Sequence, residues 1–496
     1  MPVIAYRNKI VKYILIVLAL SLSVLYVYSM SFSTSPLFPY YFGGDSAQFQ
    51  TIGKAWYFGK IPYRDMFDHK GPFIFFMDML GFSITKSSTG IMFIQILFMF
   101  ATLISLFKLN YIISKNTVLA SIAVILALFM LTLIYGGGNT VEEYCLPFNS
   151  FSLYLQYKYF FNKRKPKIHP PVCALFYGIS FSVCLATRIT NAIGICTGVL
   201  VISLFLIYQQ AYKNLVFNAL FFIIGILFIS LPFCVYFYRL GLLEDLYFAT
   251  IGYNLEYQTH MTPWIFSANI QDCISWGLQY FTSYSIFFTG FFALRRKQIV
   301  FFLFCIISGI LEMYLFLSGA RFPQYAIITL PQIILLINEI TYWNTNTIKN
   351  LLIKALSFSG IVFISSYAFF SCVSLPITMH NNYSTVPSVG YEQLLNAVPS
   401  KERNAFVAYG ANVFKELYLL HDLMPCYKYF VIQEWHASFS PKVRSDLYNT
   451  FEIGDAKWIL TDGNCPTIQE ILENRYRLYL RKDNFELYRL KENESK

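Results

Sequence analysis

The sequence predicts a polytopic α-helical membrane protein. It would have about eleven transmembrane helices, interfacial helices in the first outer loop, and a small C-terminal α/β domain outside the membrane. Three observations carry that prediction. Apolar residues make up 56% of the 496 and charged residues 13%, roughly half the charged share of an ordinary soluble protein. Mean hydropathy is +0.49, with 50 Phe and 38 Tyr, more apolar surface than a soluble chain of this length can hide from water. The net charge of +11 is also unevenly placed. Residues 1–373 carry 24 Lys/Arg against 12 Asp/Glu, and residues 374–496 carry 14 against 15. The basic excess therefore lies in the apolar part, where it orients spans rather than binding nucleic acid.

A span needs about 20 mostly apolar residues. Candidates lie near 13–31, 89–107, 117–135, 147–161, 172–187, 192–208, 215–238, 276–294, 299–317, 323–341 and 355–373. The first has basic flanks (Arg7, Lys9, Lys12) without a small-x-small cleavage site, and reads as an uncleaved anchor. With the N-terminus inside, the inner segments 1–12, 108–116, 162–170, 209–214, 295–298 and 342–354 hold 15 Lys/Arg in 53 residues. The outer loops 32–71, 136–146, 188–191, 239–275 and 318–322 hold 7 in 97. An odd number of spans then leaves the C-terminal domain outside. This predicts a membrane domain over 1–373, with a structured outer loop at 32–88, and a soluble domain over 385–496.

Within the first loop, Phe49, Ile52, Trp56 and Tyr57 recur at near-helical spacing over 46–58, as on an amphipathic helix at the interface. The run 72–84 is too short to span and carries Asp78, so it reads as a re-entrant or interfacial helix. In the tail, 406–409, 429–432 and 458–461 are strand candidates, and 412–421 and 467–474 helix candidates. Segments 477–481 and 485–489 flank Lys482-Asp483-Asn484 as a hairpin. Most cysteines lie in apolar runs and read as packing residues. Cys426 and Cys465 are the pair open to a disulfide if the tail faces an oxidising compartment.

The polar residues on the outer side are the candidate chemistry. Asp45 opens the amphipathic helix. An aspartate there is a favoured N-cap, and a carboxylate held at the membrane face can also act as a general base. Lys70, in Lys70-Gly71-Pro72, precedes a short apolar helix. It is either a snorkelling lysine or a partner for a lipid phosphate. Asp65 and Asp68 are placed to hold Lys70 or Arg64, or to solvate the loop. Glu142, Glu143, Arg188 and Arg321 lie at outer span ends. Glu312 sits inside an apolar span, where an ionisable group points to function or to an internal pair with Arg321. No Walker A motif, HExxH, clustered His/Cys set or dinucleotide fingerprint is present, so ATP-driven transport and zinc chemistry have no sequence support.

The order of these parts resembles the C-type polytopic glycosyltransferases. More narrowly it resembles the bacterial relatives of protein O-mannosyltransferases and lipid A aminoarabinose transferases in glycosyltransferase family 39. Asp45 stands in the first outer loop. His69-Lys70-Gly71-Pro72-Phe73 is similar to the family's Lys-Pro-Pro-Leu element, with Gly71 replacing its first proline. Glu142-Glu143 with Pro147-Phe148 resembles the acidic end of a later span, and Thr187-Arg188-Ile189-Thr190-Asn191 a Thr-Arg/Lys-Pro-Asn element. Arg321-Phe322-Pro323-Gln324-Tyr325 with Pro331 resembles a late Arg…His-Tyr…Pro element, Gln324 standing where His is common.

The resemblance implies transfer of one sugar, hexosyl or pentosyl, from a polyprenyl-phosphate donor to a glycan, lipid or protein on the outer face of the plasma (inner) membrane. It implies Asp45 as the base and Lys70, Arg188 and Arg321 as donor-phosphate ligands. Arg64, Asp65, Asp68, Glu142, Glu143 and Glu312 would support the site or hold the acceptor, and the tail would help orient the acceptor. The reaction needs no cofactor, and metal dependence varies across the superfamily. Two other readings differ in where they put charge. A transporter or flippase of lipid-linked sugars wants it along a transbilayer path. A polysaccharide polymerase or ligase centres on a large late outer loop.

Overall fold

The computed structural model describes residues 2–161, 168–260, 281–318, 322–337, 351–385, 390–410, 412–454 and 456–491. The chain divides into two compact units. One comprises Met1–Ser31, Met92–Val235 and Thr262–Thr378. The other comprises Phe32–Ile91, Tyr236–Met261 and Met379–Lys496.

The regular secondary structure of the first unit's described residues is all helical. Helices Pro2–Met30, Thr117–Thr132, Val141–Phe160, Pro171–Leu185, Ile193–Tyr208, Phe281–Arg295, Ile299–Ser318 and Leu351–Tyr383 lie where spans were expected, as do Ser88–Ser114 and Tyr212–Arg239. Among the described residues, five segments are long and apolar enough to cross a membrane: Ile10–Met30, Ser88–Ser114, Ile189–Tyr208, Tyr212–Arg239 and Ile299–Phe316. The others are shorter or more polar than the eleven-span reading assumed, and the expected spans 276–294 and 323–341 run partly outside the described residues. The protein is thus a multi-pass membrane protein with a core of apolar helices.

Local chemistry sets the helix starts. Asn116 Oδ1 accepts from the backbone N–H of Val118 (2.9 Å) and Leu119 (3.1 Å), and Thr140 Oγ1 accepts from that of Glu143 (3.3 Å), each satisfying a donor the helix leaves open. Helix Pro171–Leu185 meets Tyr212–Arg239 through glycine. A Cβ on Gly178 would lie 2.0 Å from the Phe222 carbonyl oxygen, and one on Gly225 2.2 Å from that of Leu175. Small residues let backbones approach this closely, as membrane helix packing favours.

The second unit joins the first outer loop to the tail. Helices Gly44–Tyr57 and Pro72–Thr85 stand where two loop helices were expected, but the first is buried on every face from Ser46 to Ala55, with Gln48, Gln50 and Lys54 packed inside rather than presented as a polar face. Its sheet has the order β1-β2-β4-β3, from β1 (Phe406–Tyr409), β2 (Trp458–Thr461), β3 (Tyr476–Lys482) and β4 (Phe485–Leu490). β1 pairs parallel to β2, β2 antiparallel to β4, and β3–β4 form the expected hairpin. Helices Phe414–Leu420, Gln433–Phe439, Pro441–Ile453 and Gln469–Arg475 complete the α/β arrangement. β1 and β2 are buried at every position, which explains their continuous apolar runs.

Two expectations are corrected. Residues 429–432 are not a strand: Phe67 N–H donates to the Lys428 carbonyl (2.8 Å), Tyr429 packs on Phe67, and Ile432 takes a left-handed φ of 45° before the next helix. Aromatic burial, not ladder pairing, selects those residues. Cys426 and Cys465 form no disulfide with each other. Cys426 Sγ instead donates to the Phe406 carbonyl (3.2 Å) and Cys465 Sγ to Gln469 Oε1 (3.4 Å).

Candidate active site

The first outer loop is a tight scaffold. Asp65 Oδ2 accepts from the Ile61 N–H (2.7 Å) while Arg64 donates to both carboxylate oxygens at 2.9 Å. This pair closes the 61–66 turn, in which Tyr63 has a φ of 69°. The buried Tyr63 ring then donates its hydroxyl to the Lys70 carbonyl (2.8 Å). Arg64 and Asp65 therefore brace the loop that presents Lys70.

Asp45 is not the helix cap. Gly43, at φ 71°, holds that position without a side-chain bond, since glycine takes a left-handed φ without strain. Asp45 lies in the first turn, with its side chain 52% exposed and Oδ1 3.0 Å from Lys415 Nζ. The tail thus supplies the cation that pairs with the first-loop carboxylate, and helix Phe414–Leu420 packs on helix Gly44–Tyr57. A second such bridge ties helix Gly44–Tyr57 to the turn after helix Phe414–Leu420, from buried Lys54 Nζ to Asp422 Oδ1 at 2.5 Å.

Around Asp45 the charges form one coupled cluster. Crowding by protein opposes its ionisation, but Lys415 and then Lys70 outweigh this and hold the carboxyl below its ordinary value. Asp68 is 2% exposed and accepts the Lys70 N–H at 2.8 Å. Burial pushes its carboxyl up to about 6, against the pull of Lys70. Lys70 Nζ lies 2.5 Å from His69 Nε2. His436 is buried, with Nδ1 3.1 Å from the Tyr253 hydroxyl. Burial, reinforced by Lys415 and Lys70, pushes its imidazole down to about 3, so it stays neutral. Phe67, Tyr253, Trp435 and His69 rings pack edge-to-face around it. The cluster joins an accessible, ionised carboxylate to two lysines beside an aromatic wall. This is a suitable setting for proton abstraction next to a bound anion.

The remaining sequence-predicted residues belong to the first unit. Arg188 Nη1 donates to Glu142 Oε1 at 3.1 Å, and its guanidinium lies 3.5 Å from the Tyr325 ring centroid, a cation–π arrangement. Glu143 accepts from the Tyr135 hydroxyl (2.5 Å), Gln95 Nε2 (2.8 Å) and the Asn139 N–H (2.8 Å). That saturation marks it as a strut between segments. Glu312 Oε1 accepts from Ser308 Oγ (3.0 Å) and Gln332 Nε2 (2.5 Å). Arg321, and with it the expected Glu312–Arg321 pair, lies outside the described residues.

Sequence reasoning missed Lys415, His436 and Tyr253. Lys415 is separated from Asp45 by 370 positions, so no spacing rule joins them. The buried His436 follows Glu434-Trp435 in an unremarkable stretch of helix. A lysine on the face of a half-apolar helix was the only signal on offer.

No family model matches the chain, and no curated protein does. Solved structures do. ArnT from Cupriavidus metallidurans in the apo state aligns over 98% of both chains, at a TM-score of 0.58 and 11% identity. The same protein bound to undecaprenyl phosphate aligns over 95% of this chain and 97% of its own, at a TM-score of 0.56 and 10% identity. The chain therefore has, over nearly its full length, the fold of ArnT.

Proposed function

We propose that this protein transfers a single sugar from a polyprenyl-phosphate donor to an acceptor hydroxyl at the outer face of the inner membrane, with Asp45 as general base. The observation that carries the reading is the half-exposed Asp45 carboxylate, ionised and held against Lys415 within a cluster that includes Lys70. The likeness to an ArnT structure bound to undecaprenyl phosphate supports the choice of lipid.

In the proposed step, the acceptor oxygen attacks the anomeric carbon and its proton passes to Asp45. The bond from anomeric carbon to phosphate oxygen breaks, and the polyprenyl phosphate leaves with the electron pair. Lys70 neutralises the charge growing on that phosphate. A phosphate is already a good leaving group, so a weak base suffices. Donor binding would also strengthen the base. A phosphate anion beside Lys70 and Lys415 offsets the cations that depress Asp45, so its proton affinity rises once substrate is present. Neutral His436 keeps a third positive charge away from Asp45.

The family resemblance also nominates Arg188 and Arg321 for the phosphate, Glu142, Glu143 and Glu312 for support, and the tail for the acceptor. The N-terminus would be cytoplasmic and the C-terminal domain extracytoplasmic. The test is transfer from a synthetic polyprenyl-phosphate sugar by detergent-purified protein, comparing wild type with Asp45→Asn. Near-normal turnover by a well-folded Asp45→Asn protein would remove Asp45 from the chemistry.

A further inference from the structure

Helices Tyr253–Thr259 and Gln433–Phe439 of the second unit meet through their rings. Tyr253 packs on His436. Tyr257 packs on both Trp435 and Phe439, with centroids 5.5 and 4.8 Å away. Trp435 and Phe439, one turn apart, lie 5.0 Å from each other. The His69 ring closes the group, 5.9 Å from Trp435 and 6.3 Å from Tyr257. Burial is graded across this wall. Tyr253 and His436 are buried, Tyr257 and Phe439 half-buried, and Trp435 is 37% exposed. A carboxylate stands in the same place. Tyr253, Glu256 and Tyr257 fall at i, i+3 and i+4, which puts them on one helix face. Glu256 Oε2 is buried there with no hydrogen-bond partner among the described residues. The wall thus offers an open indole ring and an unused carboxylate oxygen together.

Its position says what it would hold. Lys70 Nζ lies 2.5 Å from His69 Nε2, so the wall begins where Lys70 ends. The inference rests on the proposed reaction, in which Lys70 takes the donor phosphate. The donor's sugar is joined to that phosphate by a single bridging oxygen, so it lies within about its own width of Lys70. The His69, Trp435 and Tyr257 rings are within that reach. A sugar ring presents C–H groups on its faces and hydroxyls around its rim. The C–H faces suit the negative face of an aromatic ring, and a rim hydroxyl can donate to a carboxylate oxygen that is otherwise left unmet. An aromatic belt at a membrane surface needs only the rings and gives Glu256 nothing to do. We propose that Trp435 and Tyr257, with Glu256 at their edge, form the subsite for the sugar ring of the donor.

Equilibrium binding to the full-length protein in detergent tests this. The probes are undecaprenyl phosphate, undecaprenyl-phosphate glucose and undecaprenyl-phosphate arabinose. The wild type should bind at least one sugar-bearing lipid roughly tenfold more tightly than the bare lipid phosphate. Trp435→Ala should remove most of that advantage and leave affinity for the bare lipid phosphate unchanged, while Trp435→Phe keeps part of it. Tyr257→Leu and Glu256→Gln should each lose a share, and they serve if Trp435→Ala does not fold. Equal binding of all three lipids by the wild type would overturn the subsite and leave Asp45 and Lys70 in their roles. So would an advantage that survives intact in Trp435→Ala and Tyr257→Leu. A parallel loss of bare-lipid affinity in those variants would also overturn it, by making the wall a support for the phosphate site. Failure of the wild type to bind any of the three would bring down the transferase reading itself, and the subsite with it.

Discussion

Replacing Lys415 with Met should make Asp45 easier to protonate, and the size of that change follows from the geometry. At 3.0 Å, two unit charges attract by about 1.4 kcal/mol at the dielectric of water and about 5.5 kcal/mol at an effective dielectric of 20. Asp45 is 52% exposed, so solvent screening places the effect near the lower figure, which corresponds to about one pH unit. The sign is fixed. Protein crowding raises the carboxyl while Lys415 and Lys70 lower it, so removing Lys415 moves it up. The assay is the pH dependence of kcat/KM for sugar transfer, whose acid limb reports the free enzyme's base. It is best measured in an Asp68→Asn background, so that the titration of Asp68 near 6 does not overlie it. Lys415→Met should shift the acid limb upward by about one pH unit, and Lys415→Arg should restore most of the wild-type position. An unmoved limb in Lys415→Met would refute the claim that Lys415 sets the ionisation of Asp45.

Other expected outcomes follow from the same geometry. Lys70→Ala should weaken binding of a polyprenyl-phosphate donor strongly and Lys70→Arg only in part. Unchanged donor affinity in Lys70→Ala, Arg188→Ala and Arg321→Ala alike would place the phosphate elsewhere. Asp68 binds its proton more tightly when folded, so its contribution to stability falls as pH rises from 3.8 to about 6, by about 3 kcal/mol in all. Asp68→Asn keeps the acceptor for the Lys70 N–H and should gain stability relative to wild type across that window, read as the difference in Tm. A constant difference from pH 4 to 7 would count against the buried-carboxyl account. Alkaline phosphatase fused at Lys165 or Arg296 should be inactive and at Ser388 active, and the reverse would invert the proposed orientation.

Elements whose cause is local were legible in the sequence. Buried strands β1 and β2 announced themselves as apolar runs, and the β3–β4 hairpin as two strands around Lys482-Asp483-Asn484, where Asp483 takes a φ of 51°. Both loop helices showed in the spacing of Phe49, Ile52 and Trp56 and in Pro72 at a helix start. The errors came where tertiary contact overrode local preference. Tyr429 and Phe430 look like strand residues because they are buried, but their burial is against Phe67 and Tyr418 rings. Asp45 looks like a cap because it opens a helix, yet Gly43 caps it and frees the carboxylate for Lys415. Three members of the cluster were visible as Asp45, Asp68 and Lys70. The other two, Lys415 and the neutral His436, depend on tail contacts that no spacing encodes.

The central claim is that Asp45 takes the acceptor proton during sugar transfer from a lipid phosphate. The most direct measurement is single-turnover transfer from a radiolabelled polyprenyl-phosphate sugar by purified wild type and Asp45→Asn, with donor binding measured in parallel. Asparagine keeps the shape and removes the basicity. The account predicts that donor binding is retained while the transfer step slows by roughly 100-fold or more. Transfer by Asp45→Asn at the wild-type rate, with donor binding intact, would contradict it.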